Sequence, residues 1–240
     1  MVYEARLFPS KICKTVTSMV NVQRPCPSLF YFPGITAKPW HDSKDFPFTK
    51  HLTKHFQEIK DEYLEKKEEI ERIASKAIDV DPFHKVKEGS CLKYPYILNG
   101  HINSSFHLQM PNTFRILQEL SKRGDGPMLN IPFSSSYISI MKPITTIDKH
   151  YGPCNIRLRA HLPLLLPDSE EACFIRVGGQ IKFWKEGEII VFDDTYEHES
   201  CNLSDIHERV LLVFDVWHPE LMPQERQAII EMFQNSAQGQ

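Results

Sequence analysis

The stretch HYGPCNIRLRAHL, residues 150–162, concentrates groups that could do chemistry. A histidine opens it, two arginines and a second histidine follow, and Ile, Leu and Ala alternate with them. On an extended backbone Arg157, Arg159 and His161 share one face, while Ile156, Leu158 and Ala160 share the other. A cationic row on an exposed face needs no function. Inside a barrel it costs several kcal/mol unless anions complement it. The half-buried look of the neighbouring runs favours an anion-binding interior, with carboxylates or phosphates on the bound molecule. Outside this row, His198 in FDDTYEHE is a second metal-ligand type, and only folding could bring it to His150. Arg209 follows it at the head of RVLLVFDVW, and Ser139 precedes His150 on YISIMKP. Cation and hydroxyl are suited to holding one carboxylate.

These residues must be positioned by short strands. From about residue 129 the apolar period changes from helical to two. SSYISIMKP, NIRLRAHLPL, ACFIRVGG, QIKFWKEG, EIIVFDD and RVLLVFDVWHP are Val-, Ile- and Phe-rich runs separated by Gly, Pro and Asp. Such a series with almost no helix between predicts an antiparallel sandwich or barrel. His150 opens one of these strands on this reading. Upstream, residues 1–46 are rich in Pro and aromatics and read as an extended arm laid over the core. Residues 47–128 read as mostly helical support. One long helix carries Phe48, Leu52, His55, Phe56, Ile59, Tyr63, Ile70 and Ile73 at three- and four-residue steps. Residues 80–112 are expected to be irregular. A shorter helix follows, capped by Asn112 or Thr113. Residues 129–222 form the barrel and 223–240 a last helix entered through Pro223. All of it is expected to be one domain, mainly β, α+β overall.

The 240 residues carry a net charge of -3, which suggests neither nucleic acid nor an anionic membrane as partner. No apolar run approaches the roughly 20 residues of a membrane span, and the first 20 residues lack a signal-peptide core. A soluble chain is expected, cytoplasmic by default. The six cysteines lack zinc-type spacing and read as buried free thiols.

Histidine at the start of one strand and after a later one is the pattern by which double-stranded β-helix enzymes hold non-haem iron. HYGPCNIRLRAHL, IRVGGQIKFWKEGEIIVFDDTYEHE and RVLLVFDVWHPEL together resemble the aspartyl/asparaginyl β-hydroxylase family of iron(II)- and 2-oxoglutarate-dependent dioxygenases. The resemblance is close over residues 134–223, and LFYFPGITAKPWHD is similar to the family's opening segment. It implies a double-stranded β-helix (jelly-roll, cupin-like). His150 and His198 are implied as iron ligands, and Gly152 as the vacant position where most of the wider superfamily has a carboxylate ligand. Ser139 and Arg209 are implied to hold the distal carboxylate of 2-oxoglutarate, with Arg159 and His161 near its oxalyl end. Arg157 is implied as a substrate-carboxylate contact, although the two arginines could exchange or share these roles. Asp148, Asp193, Asp194 and Glu197 are candidates for hydrogen bonding around the metal.

The implied activity consumes Fe(II), 2-oxoglutarate and O2 and releases succinate and CO2. The implied substrate is an Asp or Asn side chain of a peptide or protein, an EGF-like domain being one candidate. A lipid acyl chain or small free acid is the alternative, and a catalytically silent carboxylate-binding module is a second. Two departures bear on the cleft. Leu98 stands where animal members carry a pocket tryptophan, and the family's cysteine pair ahead of the Ser139 strand is absent. The resemblance places the protein in the endoplasmic reticulum if an anchor precedes it.

Overall fold

A computed structural model describes residues 23–76, 84–169 and 171–238. Its twelve strands are β1 (Trp40–His41), β2 (Val86–Glu88), β3 (Cys91–Leu98), β4 (His101–Ile102), β5 (Ser136–Met141), β6 (Thr145–His150), β7 (Arg157–Leu165), β8 (Cys173–Val177), β9 (Gln180–Phe183), β10 (Ile190–Phe192), β11 (His198–Asn202) and β12 (Arg209–Trp217). They form two antiparallel sheets, ordered β1-β10-β7-β12-β5-β3-β4 and β2-β6-β11-β8-β9. Eight consecutive strands, β5 to β12, supply β10-β7-β12-β5 to one sheet and β6-β11-β8-β9 to the other. That distribution is the double-stranded β-helix.

Alternation along β12 separates two environments. Val210, Leu212, Phe214 and Val216 face out and pack with Ile138, Ile140, Leu158, Ala160 and Leu162 under the helices. Leu211 and Val213 face in and join Tyr137, Ile175, Val177, Trp184 and Phe192. Arg209 and Asp215 lie on that inner face by the same period of two. A one-residue slip of β12 would bury Arg209 under the helices, so the pattern fixes the register.

The helices that cover the larger sheet are α1 (Pro47–Lys54), α2 (Phe56–Ala74), α3 (Phe106–Gln109) and α4 (Pro111–Lys122); α5 (Pro223–Gln238) closes the chain. The single long helix expected from Phe48 onward is interrupted. The backbone at His55 opens to φ −99°, ψ 9°, and its imidazole meets Glu58 of the next turn at 2.8 Å. Nor does Asn112 or Thr113 cap α4. The helix begins at Pro111, and Glu62 of α2 accepts from Asn112 N, Thr113 N and Thr113 Oγ1 at 2.6–2.8 Å. A carboxylate at a helix N-terminus satisfies donors the helix cannot.

Residues 80–112 are not wholly irregular. β3 is an interior strand between β5 and β4, with Lys93 opposite Ser139. Pro95 disguised it, since proline removes a ladder donor. The register shifts between Pro95 and Ile97, so the proline sits at a bulge. His150 likewise ends β6 instead of opening β7. The intervening loop is fastened by the arm. Ser28 N donates to Gly152 O, and Leu29 N and Phe30 N to Pro153 O. Asn155 exchanges two hydrogen bonds with the Phe32 backbone. Arm residues before 23 lie outside the described residues. The five described cysteines are free thiols, three of them buried.

Candidate active site

β6 and β11 pair with His150 directly opposite His198. The two ring centroids are 4.0 Å apart. His150 Nδ1 donates to Asp148 O at 2.7 Å, and His198 Nδ1 donates to Tyr196 O at 2.9 Å. A carbonyl only accepts, so both Nδ1 atoms carry a proton, and in the neutral rings the lone pair lies on Nε2. Backbone-fixed tautomers of this kind are how imidazoles are prepared for a divalent metal. The donor set therefore fits an iron(II) ion.

Position 152 is a glycine because something else fills the space. A Cβ there would run into the carboxyl group of Asp194. The backbones touch as well, with Gly152 N donating to Asp194 O at 2.6 Å. The negative charge that a ligand at 152 would bring is thus present from another strand end. Arg157 Nη2 holds Asp194 Oδ2 at 2.6 Å, while Asp194 Oδ1 is buried without a hydrogen-bond partner among the described residues.

The anions that complement the cationic row are largely the chain's own. Arg157 Nη1 donates to Asp215 Oδ2 at 2.7 Å and to Phe133 O, and its side chain is 2% exposed. Arg159 Nε donates to Asp215 Oδ1 at 2.9 Å and its Nη2 reaches Asp215 Oδ2 and Ser135 Oγ. Asp215 also accepts from Ser135 N. Burial alone would weaken the Arg157 cation, but Asp194 and Asp215 outweigh it and its pKa rises. Arg157, expected to meet a substrate carboxylate, pairs with Asp194 and Asp215. No sequence signal singled out Asp215; its alternation with Arg209 on β12 is the one that could have.

Arg209 differs. It is 2% exposed, and no ion pair joins it to a carboxylate among the described residues. Its Nη2 donates to Ser139 Oγ at 3.3 Å, its Nε has no partner, and its Cζ lies 5.0 Å from the Trp184 ring centroid. Burial lowers its pKa. A buried cation with one hydroxyl and one aromatic face is prepared for an incoming anion. Leu98, expected where animal members carry a pocket tryptophan, is 38% exposed at the β3–β4 hairpin, and the aromatic ring beside Arg209 is that of Trp184.

Side chains connect the two ends. From His198 the rings run to Phe192 at 5.8 Å, to His161 at 5.0 Å and to Trp184 at 5.9 Å. Burial holds the His161 pKa well down, aided by Arg209, Arg159 and His198, so this imidazole is neutral. Beside His198 a polar cavity of about 300 Å³ opens outward, lined by Gln23, Lys149, Arg176, Ile181, Glu197 and Glu199. Lys149 meets Glu197 at 3.3 Å and Arg176 meets Glu199 at 2.6 Å. Of the expected outer groups, Asp148 contributes its carbonyl, and Asp193 accepts from Thr195 N and Oγ1 in a turn.

Residues 53–219 match the family model described as aspartyl/asparaginyl beta-hydroxylase. The chain belongs to the aspartyl/asparaginyl β-hydroxylase family. The human aspartyl/asparaginyl beta-hydroxylase is 31% identical over 206 residues, 84% of this chain and 26% of that protein. Human aspartate beta-hydroxylase domain-containing protein 2 is 37% identical over 125 residues, 51% of this chain and 32% of that protein. The ornithine lipid ester-linked acyl 2-hydroxylase of Rhizobium tropici is 29% identical over 189 residues, 77% of this chain and 62% of that protein. The chain therefore spans about a quarter of the human hydroxylase's length. Among the described residues no helix is long and apolar enough to cross a membrane.

Proposed function

We propose that this β-hydroxylase family member is an iron(II)- and 2-oxoglutarate-dependent hydroxylase acting on an Asp or Asn side chain of a peptide or protein. One observation carries the reading. A pair of tautomer-fixed histidines stands at one end of a buried row, and a buried arginine with no carboxylate partner among the described residues stands at the other. A divalent metal and a dianion are the two species such a row would hold. His150 and His198 would ligate the metal through Nε2. Arg209 and Ser139 would bind the distal carboxylate, with Trp184 packed on the guanidinium and neutral His161 beside it. Bound iron supplies activation of dioxygen at the expense of the keto acid, which leaves as succinate and CO2.

The remaining residues position and exclude. Arg157 and Arg159 are tied to Asp215, and Arg157 holds Asp194 over Gly152. Phe192, Trp184 and Val213 keep water from the row. The charged mouth favours a polar substrate over an acyl chain, because burying methylenes against Lys149–Glu197 and Arg176–Glu199 would strip water from charges. The lipid-hydroxylase relative supports the acyl alternative, and both readings share the metal and cosubstrate sites. The silent-module reading lacks a comparable support, since neither metal nor anion position is disabled.

The experiment offers Asp- and Asn-bearing peptides, including an EGF-like one, alongside acyl lipids and free aspartate. Succinate is measured and each product is weighed for one added oxygen. The proposal expects succinate and a hydroxylated Asp or Asn residue from the peptides. Hydroxylated acyl chains with untouched peptides would instead establish the lipid reading.

A further inference from the structure

Two buried histidines lie outside the row. His41 is on β1, in the arm, and His218 follows β12. Their rings meet edge to face, with centroids 5.6 Å apart and planes at 84°, and His41 also rests on Phe46 at 6.2 Å. Nε2 of each ring is buried with no hydrogen-bond partner among the described residues. His218 Nδ1 accepts from Glu220 N at 3.3 Å, so the proton of the neutral ring sits on Nε2. A second proton has only Nδ1 to occupy, and there it would face the Glu220 N–H.

This joint fastens the arm. Glu220 Oε2 accepts from Thr36 N at 2.8 Å, and His218 N donates to Ile156 O at 2.9 Å. From Thr36 the chain runs as a strap, residues 36–41, into β1, with Asp193 N donating to Pro39 O at 3.2 Å. Trp40 lies opposite Phe192 of the larger sheet, ring centroids 5.7 Å apart, and Lys182 Nζ of β9 stands 4.3 Å from the Trp40 centroid. The strap thus bridges the two sheets. It backs Phe192, the ring 5.8 Å from His198.

We propose that His41 and His218 form an acid-sensitive latch: neutral, they hold the strap against Phe192, and protonated, they release it. The groups around the joint oppose protonation while the strap is docked. Burial lowers the His41 pKa from 6.5 to about 4, with Lys38 and His218 adding to the effect and Glu220 opposing it. Burial likewise lowers that of His218, with Glu220 and the Thr36 backbone opposing and Lys38 and Arg226 of α5 adding. Release returns the rings to water, where imidazole takes a proton near pH 6.5. The released state therefore binds more protons than the docked one. Docking is at full strength above about pH 6.5 and weakens as pH falls toward about 4, roughly tenfold per pH unit from His41 alone. Asp193, whose carboxyl is pushed up to about 6, titrates in the opposite sense.

Hydrogen exchange of the full chain at about pH 7.5 and about pH 5, corrected for intrinsic rates, reads strap opening without metal or substrate. Protection of the Thr36 amide should fall about 30-fold between the two conditions in the wild type, one proton over roughly 1.5 pH units, while β12 amides keep theirs. In His41→Phe/His218→Gln the Thr36 loss should vanish; the glutamine keeps an acceptor for Glu220 N. Asp193 is common to both chains, so the comparison cancels it. Nuclear magnetic resonance titration of the wild-type histidines gives a second reading that needs no variant to fold, and His41 should titrate well below 6.5. Thr36 protection that holds at about pH 5 in the wild type, an equal loss in the double variant, or an ordinary His41 titration each overturns the proposal.

Discussion

Asp194 and Arg209 account for most of what is specific to this site, one by filling a space and the other by standing unmatched. Because the Asp194 carboxyl group occupies the room above Gly152, a side chain there must displace it. Gly152→Asp should therefore lower the melting temperature and fail to tighten Fe(II) binding, with a cost of about 1–3 kcal/mol from overpacking before any like-charge repulsion. Fe(II) titration and a thermal melt of the variant check this. Arg209→Met should raise the KM for 2-oxoglutarate about 10- to 100-fold, the worth of a charge-assisted hydrogen-bonded pair. Steady-state kinetics against 2-oxoglutarate read it out. Asp193 gives a pH signature. Burial pushes its carboxyl up to about 6. Its ordinary value is near 4, so ionising it costs the folded state. The cost is absent below about pH 4, grows as pH climbs to about 6 and is complete above, on the order of 3 kcal/mol. Asp193→Asn keeps the acceptor for Thr195 and removes the charge. It should melt higher than the wild type at pH 8 and lose that advantage near pH 4.

At the scale of elements, legibility followed apolar pattern. β5, β7, β8, β10 and β12 stand out as alternating or apolar runs because both their faces are covered or one is core. β6 (TTIDKH) and β11 (HESCN) do not, and they carry His150 and His198. Polar residues that face the proposed metal site erase the apolar alternation that marks a strand. The histidines were thus legible as chemistry, while the strand holding His150 was assigned to β7. β3 was hidden by its proline and the α4 cap by distance, since Glu62 lies on another helix. The cationic row was legible, but its partners were not. Asp215 on β12 faces Arg159 on β7 across the sheet, a relation that only the strand order creates. Asp215→Asn removes a carboxylate that two buried arginines share and should cost about 3–5 kcal/mol. Glu62→Gln weakens a cap and should cost about 1 kcal/mol. Denaturant unfolding of the two variants should rank them in that order.

For the molecule as a whole, the two sheets set a histidine pair and a buried cation at opposite ends of one row, and α1, α2 and α4 pack on the outer face of the larger sheet. Chemistry and stability are thereby divided between the two faces of β7 and β12. The measurement that tests the account most directly is succinate release from 2-oxoglutarate with Fe(II) and O2, comparing the wild type with His150→Ala/His198→Ala and Arg209→Met. Succinate formed by the wild type, abolished in the histidine pair and recovered in Arg209→Met only at high 2-oxoglutarate, is the predicted result. Equal turnover in the wild type and the histidine double variant would contradict it.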